Sequence, residues 1–200
     1  MFYETAKGHP LPHNPLGALV VPRPIGWIST VDAAGRANLA PYSFFNGISY
    51  FPPQVMFSSG GWKNTLANCE ATGQFVVNLA TYDLREKVVA TAVDAPPEVS
   101  EFEYAGLTPE PSTLVAPPRV AESPVHLECE TTQTIPLEHD EDKPQSFVVM
   151  GKVLGISIAD WAITDGLVDI TKLRPLARLG YFDYACIDSV FSLHAPKWEG

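Results

Sequence analysis

Cysteine is scarce in this 200-residue chain: Cys69, Cys129 and Cys186 are its only three, widely spaced and with no CxxC or CxxH pair. That argues against a disulfide-stapled scaffold and a zinc ribbon, and for reduced, mostly buried thiols in a cytoplasmic protein. Positive charge is also in short supply. Thirteen Lys and Arg stand against 23 Asp and Glu, a formal net charge of -10. A nucleic-acid partner is therefore not expected, because that affinity rests on neutralising phosphates with basic side chains. No run approaches the roughly 18 apolar residues of a membrane span. The opening MFYETAKGHPLPHNP lacks the apolar core of a signal peptide. GxGxxG and GxSxG are both missing, which disfavours a Rossmann fold and a nucleophile-elbow hydrolase. The five histidines form no metal-ligand pattern, since Pro10 and Pro12 keep His9 and His13 off one helical face, and no metal is expected. No catalytic triad or nucleophilic cysteine stands out either.

What the chain does have is apolar content, at 46%, and 19 prolines that rule out long helices over much of its length. Residues 1–16 read as an extended arm and 17–195 as one domain. Residues 17–21 (GALVV) read as a short strand. Residues 25–32 and 38–46 read as a hairpin around Asp32-Ala33-Ala34-Gly35, and 54–59 and 75–79 as further strands. Helices are expected over 63–72, stopped by Gly73, and over 83–93, where Leu84, Val88 and Ala92 share a face. Residues 94–118 carry six prolines, five carboxylates and no Lys or Arg, the pattern of a loop or lid with short helical turns. Long strands over 123–134 and 146–158 flank an acidic, solvated tip at 138–143, and 184–193 reads as a last strand. Seven or eight strands and two or three short helices, without regular β-α-β alternation, give a mainly β fold, a barrel with helical decoration.

The stretch Ser58-Ser59-Gly60-Gly61-Trp62-Lys63-Asn64-Thr65 follows a strand and opens a helix. Its spacing is not that of a P-loop. It nonetheless combines hydroxyls, a glycine turn, a helix start and one lysine, the ingredients of an anion site. A plain glycine turn with a capping side chain is the competing reading. Arg23, held extended between Pro22 and Pro24, offers a fork for a phosphate or carboxylate. His126, Glu128 and Glu130 share one face of a strand.

PRPIGWISTVDAAGRANLAPYSFFNGISYFPPQVMFSS, then KNTLANCEATGQFVVNL, SPVHLECE and LRPLARLGYFDYACIDSVFSL, resembles the flavin reductase-like family over most of residues 17–195. The resemblance implies a split β-barrel of Greek-key type that binds FMN between the subunits of a homodimer. Trp27, Ser29 and Thr30 would then line the flavin, and Ser43, Phe44, Phe45 and Asn46 would border its ring and ribityl chain. Ser58, Ser59, Lys63, Asn64 and Thr65 would surround the phosphate, and Arg178 and Tyr181 would close the site. The implied activity is NAD(P)H:flavin reduction, with NADH or NADPH as donor and reduced flavin supplied to a partner oxygenase or other acceptor. A flavoredoxin-like electron carrier, or a flavin-dependent oxidase or oxygenase of a small organic substrate, are the alternatives. The chain departs from the family pattern at Asn64, where Asp is common, at Tyr181, where a second Gly is common, and at Ala195-Pro196, where Arg-Pro is common.

Overall fold

A computed structural model describes residues 1–96 and 98–198; within the 94–118 loop Pro97 lies outside the described residues, as do 199 and 200. Seven antiparallel strands form the main sheet: β1 (Gly26–Val31), β2 (Ala37–Tyr42), β3 (Phe45–Tyr50), β4 (Pro53–Gly60), β5 (Gln74–Leu79), β6 (Val125–Pro136) and β7 (Ser146–Ile158). Their order is β2-β1-β5-β6-β7-β4-β3. The two edge strands, β2 and β3, are consecutive in the chain. The sheet therefore curls round on itself and stays open at one seam, a split barrel.

The first hairpin is closed by Asp32, whose carboxylate accepts from the N–H groups of Ala34 (2.9 Å) and Arg36 (2.8 Å), while Gly35 takes φ +81°. β1 is buried along its whole length, and the period-2 alternation of a strand divides its side chains between two clusters. Ile28 points into the barrel with Phe57, Phe75, Cys129 and Val149. Ile25 and Trp27 point the other way, against Leu39, Val88, Phe102 and Val120. The helix α1 (Asn64–Thr72) packs Leu66 and Cys69 into the barrel cluster and ends at Gly73, φ 71°, whose N–H meets the Cys69 carbonyl at 2.9 Å. Gly151 on β7 has no room for a side chain, since a Cβ there would overlap the Phe75 ring.

Several expected elements take other forms. Residues 17–21 are not a strand. Asn14 Oδ1 receives the Leu16 N–H (3.0 Å) and starts a single helical turn, Leu16–Leu19. The strand expected over 38–46 breaks at Ser43-Phe44, because the Phe44 carbonyl turns to the Ser58 N–H (2.8 Å) and the chain corners into β3. The helix expected over 83–93 is a 3-10 turn, Tyr82–Leu84, followed by α2 (Arg85–Ala90). The last strand is only Tyr184–Cys186, in a small sheet with Leu176–Arg178 and Arg23–Pro24. Arg23 is no surface fork. It is buried and donates to the carbonyls of Val20 (2.7 Å) and Leu179 (2.9 Å), tying the N-terminal arm to that small sheet.

The 94–118 loop is anchored along much of its length. Asn78 Oδ1 accepts the Val120 N–H at 2.7 Å, Glu128 accepts the N–H groups of Thr113 and Leu114, and Ser29 Oγ donates to the Pro118 carbonyl at 2.6 Å. His126 Nε2 donates to the Val120 carbonyl at 2.9 Å, leaving a buried Nδ1 without a partner among the described residues. Burial holds this imidazole below its ordinary value. Arg119 adds to that effect, while the Val120 carbonyl, Glu110 and Glu128 oppose it. The unfolded chain therefore takes its proton first as pH falls through about 6.5, and stability drops from there down through the lower folded value. The wild type is expected to lose more Tm than His126→Gln between about pH 7 and 5. Equal losses in a calorimetric pH series would show that His126 contributes nothing to acid sensitivity.

Candidate functional site

A cleft of about 540 Å³ opens where the end of β2, the Ser43-Phe44 corner, the end of β4, the start of α1 and residues 91–95 meet. Its size is that of a pocket for a cofactor-sized molecule. The glycine pair shapes one wall. Gly61 adopts φ +99°, a left-handed conformation that side chains rarely tolerate. Its carbonyl accepts from Ser59 Oγ (2.9 Å), and its N–H meets the Gln145 carbonyl (3.1 Å). This turn delivers the chain into α1 with no side-chain cap. The first helical bond runs from the Ala67 N–H to the Lys63 carbonyl at 3.0 Å. The N–H groups of Asn64, Thr65 and Leu66 thus have no partner among the described residues. Unpaired N–H groups at the positive end of a helix are a ready anion site. Lys63 stands exposed at the same place, with no ion pair among the described residues.

Behind this wall lies a buried polar layer. Asn38 Nδ2 donates to Thr65 Oγ1 at 2.9 Å, and Asn68 Nδ2 to Thr30 Oγ1 at 3.0 Å. Tyr42 lines the cleft, its phenol pushed up to about 12 by burial against the opposing effect of the Thr65 and Ser59 hydroxyls. It remains a neutral donor throughout the physiological range. Glu101 is also on the cleft wall, 4% exposed, and one of its oxygens accepts the Leu39 N–H at 3.1 Å.

Six of the expected site residues come together on this one cleft: Ser43, Phe44, Ser58, Lys63, Asn64 and Thr65. Ser59 is fully buried beneath them and holds the glycine turn. Trp27, Ser29 and Thr30 are fully buried too, away from the cleft surface. The Trp27 indole donates to Thr91 Oγ1 at 2.8 Å, and Ser29 sits between Asn78 and Pro118. Phe45 turns inward against Gly26, where a Cβ would come within 2.6 Å of its ring. Asn46 is exposed on β3. Arg178 and Tyr181 lie on or beside the small sheet, outside the cleft. Arg178 donates to the Tyr181 carbonyl and lies 4.5 Å over the Tyr184 ring, and Tyr181 takes φ 55° beside His13. Residues missed from the sequence are Asn38, Tyr42, Thr91, Asp94 and Glu101. Asn38 and Tyr42 lie inside the motif that carries the family resemblance, and Asp94 and Glu101 in an acidic run that reads equally well as a solvated loop.

Residues 18–175 match the family described as "Flavin reductase like domain". An uncharacterised protein of Aquifex aeolicus is 41% identical over 168 residues, covering 81% of this chain and 83% of that protein. Among solved structures, nitrilotriacetate monooxygenase component B from Bacillus cereus superposes with TM-score 0.84 at 32% identity, over 89% of this chain and 90% of the other. The 2-nitrobenzoate 2-nitroreductase of Pseudomonas fluorescens gives 0.81 at 27% identity, over 92% and 90%.

Proposed function

Because the chain belongs to the flavin reductase-like family, we propose that it binds FMN in this cleft and acts as an NAD(P)H:flavin reductase, supplying reduced flavin to a partner oxygenase or another acceptor. One observation carries the reading: the uncapped start of α1, with Lys63 beside it, opens onto a cleft of flavin size. The donor set fits a phosphate. Three backbone N–H groups, the Ser58 and Thr65 hydroxyls and one ammonium offer donors to a terminal phosphoryl group. Phe44 offers an apolar surface at the other side, its ring steadied by the Arg23 guanidinium at 5.3 Å.

Bound FMN supplies the hydride-accepting chemistry. The protein's share is to bind, orient and shield. Lys63, Asn64 and Thr65 hold the phosphate end, while Ser43 and Phe44 border the flavin. Ser59, Thr30 and Trp27 hold those groups in place from behind. Asn46, Arg178 and Tyr181 reach the cofactor where a second copy of the chain completes the groove. A homodimer is supported by the large aromatics this chain leaves in solvent, among them Tyr50, Phe51, Phe182 and Phe191, each more than four-fifths exposed. The oxygenase partner is supported by the similarity to a protein titled component B of a monooxygenase. The similarity to a nitroreductase supports a second reading, in which the electrons pass directly to a small organic substrate.

Fluorescence titration with FMN, followed by anaerobic addition of NADH or NADPH, tests the proposal. FMN should be quenched at micromolar concentration and then bleached by one of the two donors. No quenching removes the flavin reading. Quenching without bleaching removes the nicotinamide and leaves an electron carrier or a flavin-dependent oxidase or oxygenase. Sedimentation of the purified protein tests the dimer.

A further inference from the structure

The cleft presents a conflict of charge. The charged side chains on its wall are Lys63, Asp94 and Glu101, one cation against two carboxylates. A phosphate dianion entering beside them makes the balance worse. Asp94 is exposed, so water screens it. Glu101 is buried, with one oxygen on the Leu39 N–H and its own backbone N–H also turned to the carboxyl. Its charge acts across a low-dielectric wall where screening is weak.

Resting on the FMN reading, we propose that Glu101 is a proton acceptor coupled to phosphate binding: as the flavin phosphate enters beside Lys63, the Glu101 carboxylate takes one proton from solvent and is held as the neutral acid. The step forms one O–H bond on Glu101 at the expense of a solvent or buffer acid. The groups that face Glu101 agree with it. Tyr42 on β2 presents a neutral phenol, Lys63 and Asp94 line the same cleft, and Glu103 on the same helical turn is exposed to solvent. No arginine or histidine lines the cleft among the described residues. Burial already lifts the Glu101 carboxyl above its ordinary value, with the N–H groups of Leu39 and of Glu101 itself opposing. A nearby dianion lifts it further.

The sign of the linkage follows. Affinity for FMN is highest at low pH, where Glu101 is protonated with or without ligand. It falls by up to about tenfold per pH unit between the free and bound values of Glu101, and levels off above both. Riboflavin has no phosphate and shows no such coupling. The phosphate itself titrates near pH 6, so the test belongs above that.

Titration calorimetry of the purified protein with FMN at about pH 7.5, in two buffers of different ionisation enthalpy, reads the proton directly. Net proton uptake on FMN binding is expected for the wild type. Glu101→Gln should lose most of it, and riboflavin should show none with either protein. FMN binding without proton uptake, or the same uptake in the Gln variant, overturns the proposal and leaves the flavin site standing. Absence of FMN binding to the wild type overturns both. Should Glu101→Gln fail to fold, the wild-type contrast between FMN and riboflavin decides: uptake with both ligands alike overturns the proposal.

Discussion

Lys63→Ala is expected to weaken FMN binding by about ten- to a hundredfold while riboflavin binding stays within about twofold. A hydrogen bond to a charged partner contributes roughly 1.5–3 kcal/mol, and each 1.4 kcal/mol is about tenfold in affinity. Lys63 is exposed, so salt screens its contribution and the lower end of that range applies at high ionic strength. The backbone donors of Asn64, Thr65 and Leu66 survive the substitution, which is why the loss is bounded. Lys63→Arg should retain most of the affinity. Fluorescence titration with both flavins at two salt concentrations separates the outcomes. Equal losses for FMN and riboflavin would mean that Lys63 acts by shaping the α1 start and not by meeting a phosphate.

The parts of this site that were legible in the sequence are those built from local chemistry. The glycine turn, the helix start and Lys63 lie within eight residues, and their roles follow from backbone geometry at a helix N-terminus. The barrel strands were legible for the same reason, since alternation and turn residues are local signals. Boundaries failed where a distant partner decides. Residues 38–46 look like one strand until the Ser58 N–H claims the Phe44 carbonyl. The end of the chain reads as strand through residue 193, yet pairing stops at Cys186 because the small sheet is only three residues deep there. Glu101 could be found only as one carboxylate of an acidic run, because nothing near it in sequence indicates that the Leu39 N–H and the cleft wall will enclose it. Trp27, Ser29 and Thr30 illustrate a further limit. Their position on β1 is plain, but which face of β1 meets the cleft depends on the register of β5 and on the loop packed against it.

Trp27 provides the second large effect and a test of that face. Trp27→Ala is expected to cost about 3–5 kcal/mol of folding stability, the usual consequence of emptying a fully buried aromatic site. For a domain of this size that is a fall in Tm of roughly 6–20 °C. Trp27→Phe is the sharper probe. It keeps most of the apolar volume among Leu39, Val88 and Phe102 but removes the indole N–H that meets Thr91 Oγ1. Thr91 keeps its own donation to the Val88 carbonyl at 2.9 Å, so its hydroxyl is not stranded. The expected loss is about 0.5–1.5 kcal/mol of stability. Thr91 lines the cleft, so flavin affinity should fall only slightly, by a loosened wall and not by a lost contact. A Trp27 that packs directly on the flavin predicts the opposite ranking: a large change in flavin affinity and absorption spectrum at nearly unchanged stability. Thermal unfolding without flavin, paired with flavin titration of the same variant, distinguishes a positioning residue behind the wall from a residue of the wall itself.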